Sequence, residues 1–147
     1  MIPSMPSPIK ALAAAAAIAV ISFAALPAAA GAGSRQAGSL EGDWRNPAGS
    51  VQVRIDACGA TLCGTVVAAS PDAIADARDS GYPALIGMQL MHDYRAAGRG
   101  RWQGTIFVPD IGRSFSSHID LVDAQHVRVS GCLLGKFLCK SQLWRRA

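Results

Sequence analysis

The chain has 147 residues, of which 50% are hydrophobic, 16% charged and 6% aromatic, and its formal net charge is +4. This length excludes a large enzyme with a separate cofactor domain and suits one domain with a single hydrophobic core. The arginines are scattered, so the chain lacks the basic stripe of a nucleic-acid-binding protein, and no nucleic-acid partner is expected.

The first 30 residues have the layout of a secretory signal peptide, with a basic start, an apolar middle and small residues before the cleavage site. Lys10 precedes an apolar run from Ala11 to Leu26, and three alanines end the segment at Ala30. The run of about 16 residues is too short for a membrane-spanning helix. We therefore expect residues 1–30 to be removed and the mature protein to be periplasmic or secreted, without a transmembrane segment.

The remainder divides into a short tail and one domain. Residues 31–39 are small and polar without periodicity, which predicts a flexible N-terminal tail. In residues 40–147, turn signals recur every eight to twelve residues or so, and apolar residues alternate with polar ones between them. This pattern predicts an all-β domain of about eight short strands.

The second strand shows the clearest alternation, because Val51, Val53 and Ile55 are separated by polar residues. Its hairpin partner is predicted over residues 62–68. If the two cysteines that flank this turn lie directly opposite each other, Ile55 lies opposite Val66 on the buried face.

The segment over residues 70–83 is rich in aspartate, glycine and proline, and we interpret it as a long loop with at most one helical turn. A strand follows it. Five residues of that strand are predicted to share one face by their period of two: Ile86, Met88, Leu90, His92 and Tyr94.

Four further strands are predicted near residues 102–108, 114–121, 126–130 and 137–145. The last has poor alternation, and its faces cannot be assigned from the pattern. Eight short antiparallel strands favour a closed up-and-down β-barrel, which removes the unpaired edges of an open sheet, and a β-sandwich is the alternative. An eight-stranded barrel is filled by side chains or holds one small ligand.

The four cysteines allow three disulfide connectivities. Local pairs are favoured, Cys58 with Cys63 across a hairpin and Cys132 with Cys139 around a tight turn. The alternative is a four-cysteine zinc site, but six residues separate the second pair, whereas zinc ligands are usually separated by two to four. Export to an oxidising compartment also favours disulfides, so neither a metal nor a cofactor is expected.

A tryptophan motif and an arginine stand at opposite ends of the predicted domain. Gly42-Asp43-Trp44 near the start and an arginine near the end resemble the lipocalin and avidin-like barrels, in which the arginine lies across the tryptophan. That resemblance implies that Trp44 and Arg145 close one end of the barrel, with Arg146 as the other candidate partner. Such a cation–π contact contributes about 0.5 to 2 kcal/mol.

A longer series of motifs covers the chain from about Gly38 to Arg146. The motifs are Gly42-Asp43-Trp44, Cys58-Gly59, Leu62-Cys63-Gly64, Leu85-Ile86-Gly87, Trp102-Gln103-Gly104, Pro109 with Gly112 before Phe115, Gly131-Cys132, and Cys139-Lys140-Ser141-Gln142-Leu143-Trp144-Arg145. In this order they resemble the small exported bacterial proteins of domain-of-unknown-function family 2147. The resemblance implies a lipocalin-like barrel in the cell envelope, with no established activity.

No catalytic residues are predicted. Ser116, His118 and Asp120 contain the side chains of a hydrolytic triad, but alternate residues of a strand lie about 7 Å apart, too far for the required hydrogen bonds. We expect them on the outer wall of the barrel.

The expected function is therefore binding of a small apolar or amphipathic ligand inside the barrel. The predicted ligand-binding residues are Met88, Leu90, His92 and Tyr94, because two polar tips end an otherwise apolar strand face. The alternative is a protein-interaction module, such as a periplasmic protease inhibitor whose tail enters a partner.

Overall fold

Eight antiparallel strands close into one barrel in the computed structural model, which describes residues 39–134 and 137–147. Each strand pairs with its neighbour in the chain, and the last strand pairs with the first. The strands are β1 (Gly42–Arg45), β2 (Val51–Cys58), β3 (Thr61–Ala69), β4 (Gln89–Ala96), β5 (Arg101–Val108), β6 (Arg113–Asp123), β7 (His126–Leu134) and β8 (Phe137–Arg146). The predicted barrel is confirmed. The predicted signal peptide and the tail up to residue 38 lie outside the described residues.

The up-and-down order gives the barrel two different ends. One end of the barrel, called the closed end, is formed by the β2–β3, β4–β5 and β6–β7 turns together with the start of β1 and the end of β8. The opposite end, called the open end, carries the β1–β2 turn, the helix between β3 and β4, the β5–β6 connection, the end of β7 and the start of β8. The N-terminal residues of the described domain therefore lie at the closed end.

The segment between β3 and β4 contains a helix, α1 (Pro71–Asp79), where the sequence predicted a loop. Ser70 caps it, since its hydroxyl accepts a hydrogen bond from the Ala73 amide at 3.2 Å, and Pro71 occupies the first turn. Both features favour a helix start, because the cap satisfies a free amide and proline needs no hydrogen bond there. The loop prediction was wrong because Ser70 and Pro71, which also suit a turn, start a helix here.

The β2–β3 hairpin has a register two residues away from the predicted one. Val53 lies opposite Val66, and Cys58 lies opposite Thr61. The disulfide between Cys58 and Cys63 therefore joins residues that are diagonal across the hairpin. A shift of two residues keeps side chains on their predicted face, so Val53 and Val66 are still buried in the core. A further shift between Gln52 and Val53 ends this agreement, and Ala68, predicted on the buried face, is exposed.

Both predicted disulfides are present, and all four cysteines are paired. The second bridge joins Cys132 of β7 to Cys139 of β8, which lie directly opposite each other. A zinc site made of these four cysteines is therefore wrong. Each bridge closes a short loop and so stabilises the fold by only about 2 kcal/mol in the chain-entropy model.

Strand β4 is irregular, and this irregularity breaks the predicted single face. Asp93 has a φ of 55°, and the pairing of β4 with β5 shifts register between His92 and Arg95. An extra residue in a strand reverses the alternation beyond it. As a result Met91 and Tyr94, three positions apart, are both fully buried. The prediction that residues 86–94 alternate without interruption was wrong.

Candidate functional site

A cavity of about 310 Å³ opens at the open end of the barrel. Strands β5 to β8 and the β5–β6 connection form its wall. The lining residues are Ile106, Val108, Ile111, Phe115, Val129, Gly131, Leu133, Leu138, Lys140, Gln142 and Trp144. Eight of these eleven side chains are apolar, so the wall is mostly hydrophobic.

Strand alternation explains which residues form the floor and sides of this cavity. Ile106 pairs with Phe115 across β5 and β6, and both side chains project inward. On β7, Gly131 lines the same cavity and has no side chain to fill it. A methyl group added at Gly131 would meet its nearest neighbours, the Ile106 side chain and the Ser116 carbonyl, at 3.8 and 3.9 Å. The absence of a side chain at Gly131 therefore helps to keep the cavity open.

The mouth of the cavity is apolar and exposed to solvent. Ile111 is 56% exposed, Leu133 46% and Leu138 66%, and all three line the cavity. Single exposed apolar side chains are common, but a group of them around one opening is typical of a surface that binds another molecule.

Strand β8 contributes the polar side chains of the cavity. Leu138, Lys140, Gln142 and Trp144 alternate along β8 and all face inward. The indole Nε1 of Trp144 donates a hydrogen bond to Oε1 of Gln142 at 3.0 Å. Lys140 lies two residues nearer the mouth than Gln142, which places a cationic group and an amide on the same side of the cavity.

The four predicted ligand-binding residues, which lie on β4 or just before it, do not line this cavity. Leu90 is the extra residue where the pairing of β4 with β3 shifts register, and it is buried in the hydrophobic core. The His92 ring is hydrogen-bonded to Gln89 at 2.8 Å. Met88 precedes β4 and is half-buried against the core. The predicted site on β4 is therefore not the cavity of the open end.

Tyr94, the fourth of these residues, lines a shallower depression of about 330 Å³ at the closed end. Its hydroxyl and that of Ser117 are buried, and neither makes a hydrogen bond of normal geometry with the described residues. Burial raises the pKa of Tyr94 to about 12, and the nearby Ser117 hydroxyl opposes this rise. Tyr94 and Ser117 thus carry two buried hydroxyl groups that lack such a partner among the described residues.

We expect Tyr94→Phe to change the pH dependence of stability. In the wild type the folded-state pKa of about 12 lies above the ordinary value of 10, so stability is lost as pH rises through this range. Two pKa units correspond to roughly 2 to 3 kcal/mol. Urea unfolding at pH 8 and pH 12 should show this loss in the wild type relative to Tyr94→Phe. Equal pH dependence of the two proteins would contradict the buried, neutral tyrosine.

Arg146, and not Arg145, covers the tryptophan at the closed end. The guanidinium carbon of Arg146 lies 4.1 Å from the centre of the Trp44 ring. Arg145 pairs with Arg45 on β1 and is exposed. The choice of Arg145 was wrong because the pairing of β8 with β1, which sets the facing residue, is not visible in the sequence.

Backbone contacts complete this closure. Arg146 donates hydrogen bonds to the carbonyl oxygens of Ser39, Glu41 and Ala124 at 3.0 to 3.1 Å. The Trp44 indole, which is fully buried, donates to the Leu40 carbonyl at 2.8 Å. One arginine therefore connects the N-terminal segment, the β6–β7 turn and the barrel core.

Ser116, His118 and Asp120 lie on the outer wall of β6, as predicted, and alternate with the inward-facing residues of that strand. Asp120 forms an ion pair with Arg101, and the hydrogen bond from Arg101 is the main reason why the pKa of Asp120 is lowered. Among the described residues, no three histidine, cysteine or acidic side chains form a group that could hold a metal ion. These outward-facing residues therefore form a surface charge network.

The closed eight-stranded barrel and its arginine-covered end define a lipocalin-like fold. The family described as an uncharacterized protein conserved in bacteria, DUF2147, matches residues 42–146, and the chain belongs to this family. A solved protein from Helicobacter pylori, described as belonging to the lipocalin family, has a similar fold, with a TM-score of 0.54 and 10% sequence identity. The match covers 74% of this chain and 83% of that one.

Neither a curated relative nor, among the described residues, a membrane-spanning helix was found. A search of the curated proteins found no match. Within the part of the chain that the structure describes, no helix has the length and apolar character needed to cross a membrane.

Proposed function

We propose that this protein is an exported binding protein that takes a small apolar or amphipathic molecule into its barrel through the open end. The observation that carries this proposal is the apolar cavity with its exposed apolar mouth. Its volume of about 310 Å³ lies at the lower end of the range of roughly 300 to 1,000 Å³ for small-molecule sites. A medium-length acyl chain or a compact ring system would suit this space.

The composition of the cavity supports binding and not catalysis. Its polar lining residues are Lys140 and Gln142, and no serine, cysteine, histidine or acidic side chain lies beside them in the described lining. Nucleophilic catalysis needs a nucleophile and a base within hydrogen-bonding distance. We therefore propose that the ligand leaves this cavity chemically unchanged.

The disulfides support the proposed export. Structural disulfides persist in oxidising compartments such as the periplasm and are rare in the cytosol. Both bridges lie within this domain, and the N-terminal 30 residues have the pattern of a secretory signal peptide. We propose a periplasmic or secreted location, which N-terminal sequencing of the protein recovered from the cell envelope would test.

A cavity-filling variant tests the proposed binding. In Gly131→Leu a side chain would occupy the cavity, where the space around Gly131 is open. The neutral dye N-phenyl-1-naphthylamine, which fluoresces in apolar surroundings, is the probe. We expect the wild type to bind it at one saturable site and Gly131→Leu to bind it at least tenfold more weakly.

The matched control is Ser116→Leu, which adds the same side chain to the exposed outer wall of β6. This control should keep the affinity of the wild type. Circular dichroism would verify that both variants are folded. A wild type that does not bind the dye, or a folded Gly131→Leu that binds it equally well, would refute the proposed use of the cavity.

A further inference from the structure

We propose that the ligand is an amphipathic anion, with its negatively charged group bound by Lys140 and Gln142 of β8 and its apolar body against β5 and β6. This inference rests on the proposed function, because it concerns the same cavity. The hydrogen-bonding groups that line the cavity determine the chemical class of ligand that it can bind.

The contact between Trp144 and Gln142 determines how the amide of Gln142 is oriented. An indole N–H can only donate a hydrogen bond, so the side-chain atom 3.0 Å from it must be the carbonyl oxygen of Gln142. That oxygen is therefore engaged by Trp144. The amide nitrogen, with its two N–H donors, is the part of Gln142 that is left to meet a ligand.

Lys140 adds a positive charge on the same side. Its ammonium group has three donors and no acceptor. The ion pairs of the described residues involve Asp43, Asp120 and Asp123, and none of them includes Lys140. Lys140 therefore lines the cavity with its charge not neutralised by a carboxylate of the described chain.

The polar side of the cavity thus offers donors and a positive charge. The described lining contains no acidic side chain that could receive an ammonium group, and Oε1 of Gln142 already accepts one hydrogen bond from Trp144. A carboxylate accepts several hydrogen bonds and would be bound by both side chains, whereas a cationic group would be repelled by Lys140.

The opposite wall suits the apolar part of the same molecule. Ile106, Val108 and Phe115 of β5 and β6 face the cavity and carry no polar side-chain atoms. A molecule with an anionic group at one end and a hydrocarbon body therefore matches both walls at once. Its apolar body would also contact the exposed leucines at the mouth.

Decanoate and decanol test this inference at pH 8, since they have the same chain length and differ in charge and in acceptor groups. Each is used to displace N-phenyl-1-naphthylamine from the wild type, Lys140→Met and Gln142→Leu. Hydrogen bonds to charged groups contribute about 1.5 to 3 kcal/mol, so we expect decanoate to compete at least tenfold better than decanol. Lys140→Met should remove this preference, and Gln142→Leu should reduce it.

Arg145→Met is the matched control, because it removes one positive charge from the exposed face of the same strand. It should keep the preference of the wild type. Equal competition by decanoate and decanol, or a preference that survives in Lys140→Met, would overturn the anionic class while leaving the binding of apolar molecules intact. If the dye and both competitors fail to bind the wild type, the proposed function itself fails.

Discussion

Replacing Gly104 with alanine is expected to lower the free energy of unfolding by about 3 kcal/mol, because no space exists for a side chain at this position. A Cβ atom on Gly104 would lie 2.6 Å from the His92 carbonyl oxygen and 2.7 to 2.8 Å from the Tyr94 ring. The first neighbour is backbone and the second is a fully buried ring, so neither can move away easily. Urea unfolding with the disulfides intact measures the effect.

Gly131→Ala is the matched control for this experiment. Gly104 and Gly131 both lie opposite Ser117, one on each side of it in the barrel wall. At Gly131 the nearest atoms to an added Cβ are 3.8 and 3.9 Å away, which is ordinary van der Waals contact. We expect a change within about 0.5 kcal/mol. Equal destabilisation by the two substitutions would contradict the close packing of Tyr94 against β5.

Replacing Arg146 with alanine is expected to cost about 3 kcal/mol of stability, since hydrogen bonds from charged groups each contribute about 1.5 to 3 kcal/mol and these are partly exposed to solvent. The substitution removes three hydrogen bonds to backbone carbonyls and the contact with the Trp44 ring. Gly42, with a φ of 124°, lies so close that a Cβ there would be 2.6 Å from the guanidinium. Thermal unfolding followed by circular dichroism measures the loss.

Arg145→Ala is the control for the closed end, because it removes the same type of side chain from the next position. Arg145 is exposed and lies opposite Arg45 and His126 on the neighbouring strands. We expect a change within about 0.5 kcal/mol. If Arg145→Ala destabilises the protein as much as Arg146→Ala, then Arg146 is not the residue that holds the closed end together.

Some parts of the fold are encoded locally and could be predicted from sequence. The alternation of Phe115, Ile119 and Leu121 on β6 places all three on one face, as expected for a half-buried strand. Antiparallel pairing of consecutive strands brings both cysteine pairs together over a few residues, so their connectivity also follows from local sequence. Eight such strands favour an up-and-down barrel over the alternative β-sandwich, and the barrel is the fold observed.

The polar side of the candidate site was not predicted, because its strand β8 departs from the hydrophobic pattern. On β8 the inward positions carry Lys140 and Gln142, while the exposed Leu143 points outward. Functional sites often break the local rules that identify a core. The poor alternation of this strand was the signal that could have found the site, since it marks an inward face that is not packed as core.

The amino-acid sequence by itself determined the class of fold, the strand order, both disulfides and the inward faces of the regular strands, because these depend on the period of two and on turn residues. Only the tertiary structure decided that Arg146 covers Trp44 and that β4 reverses its faces near Asp93. Both facts depend on pairing between strands, and one residue of shift exchanges the inside and the outside of a barrel. The cavity also depends on strand pairing, because its lining residues come from the four neighbouring strands β5 to β8.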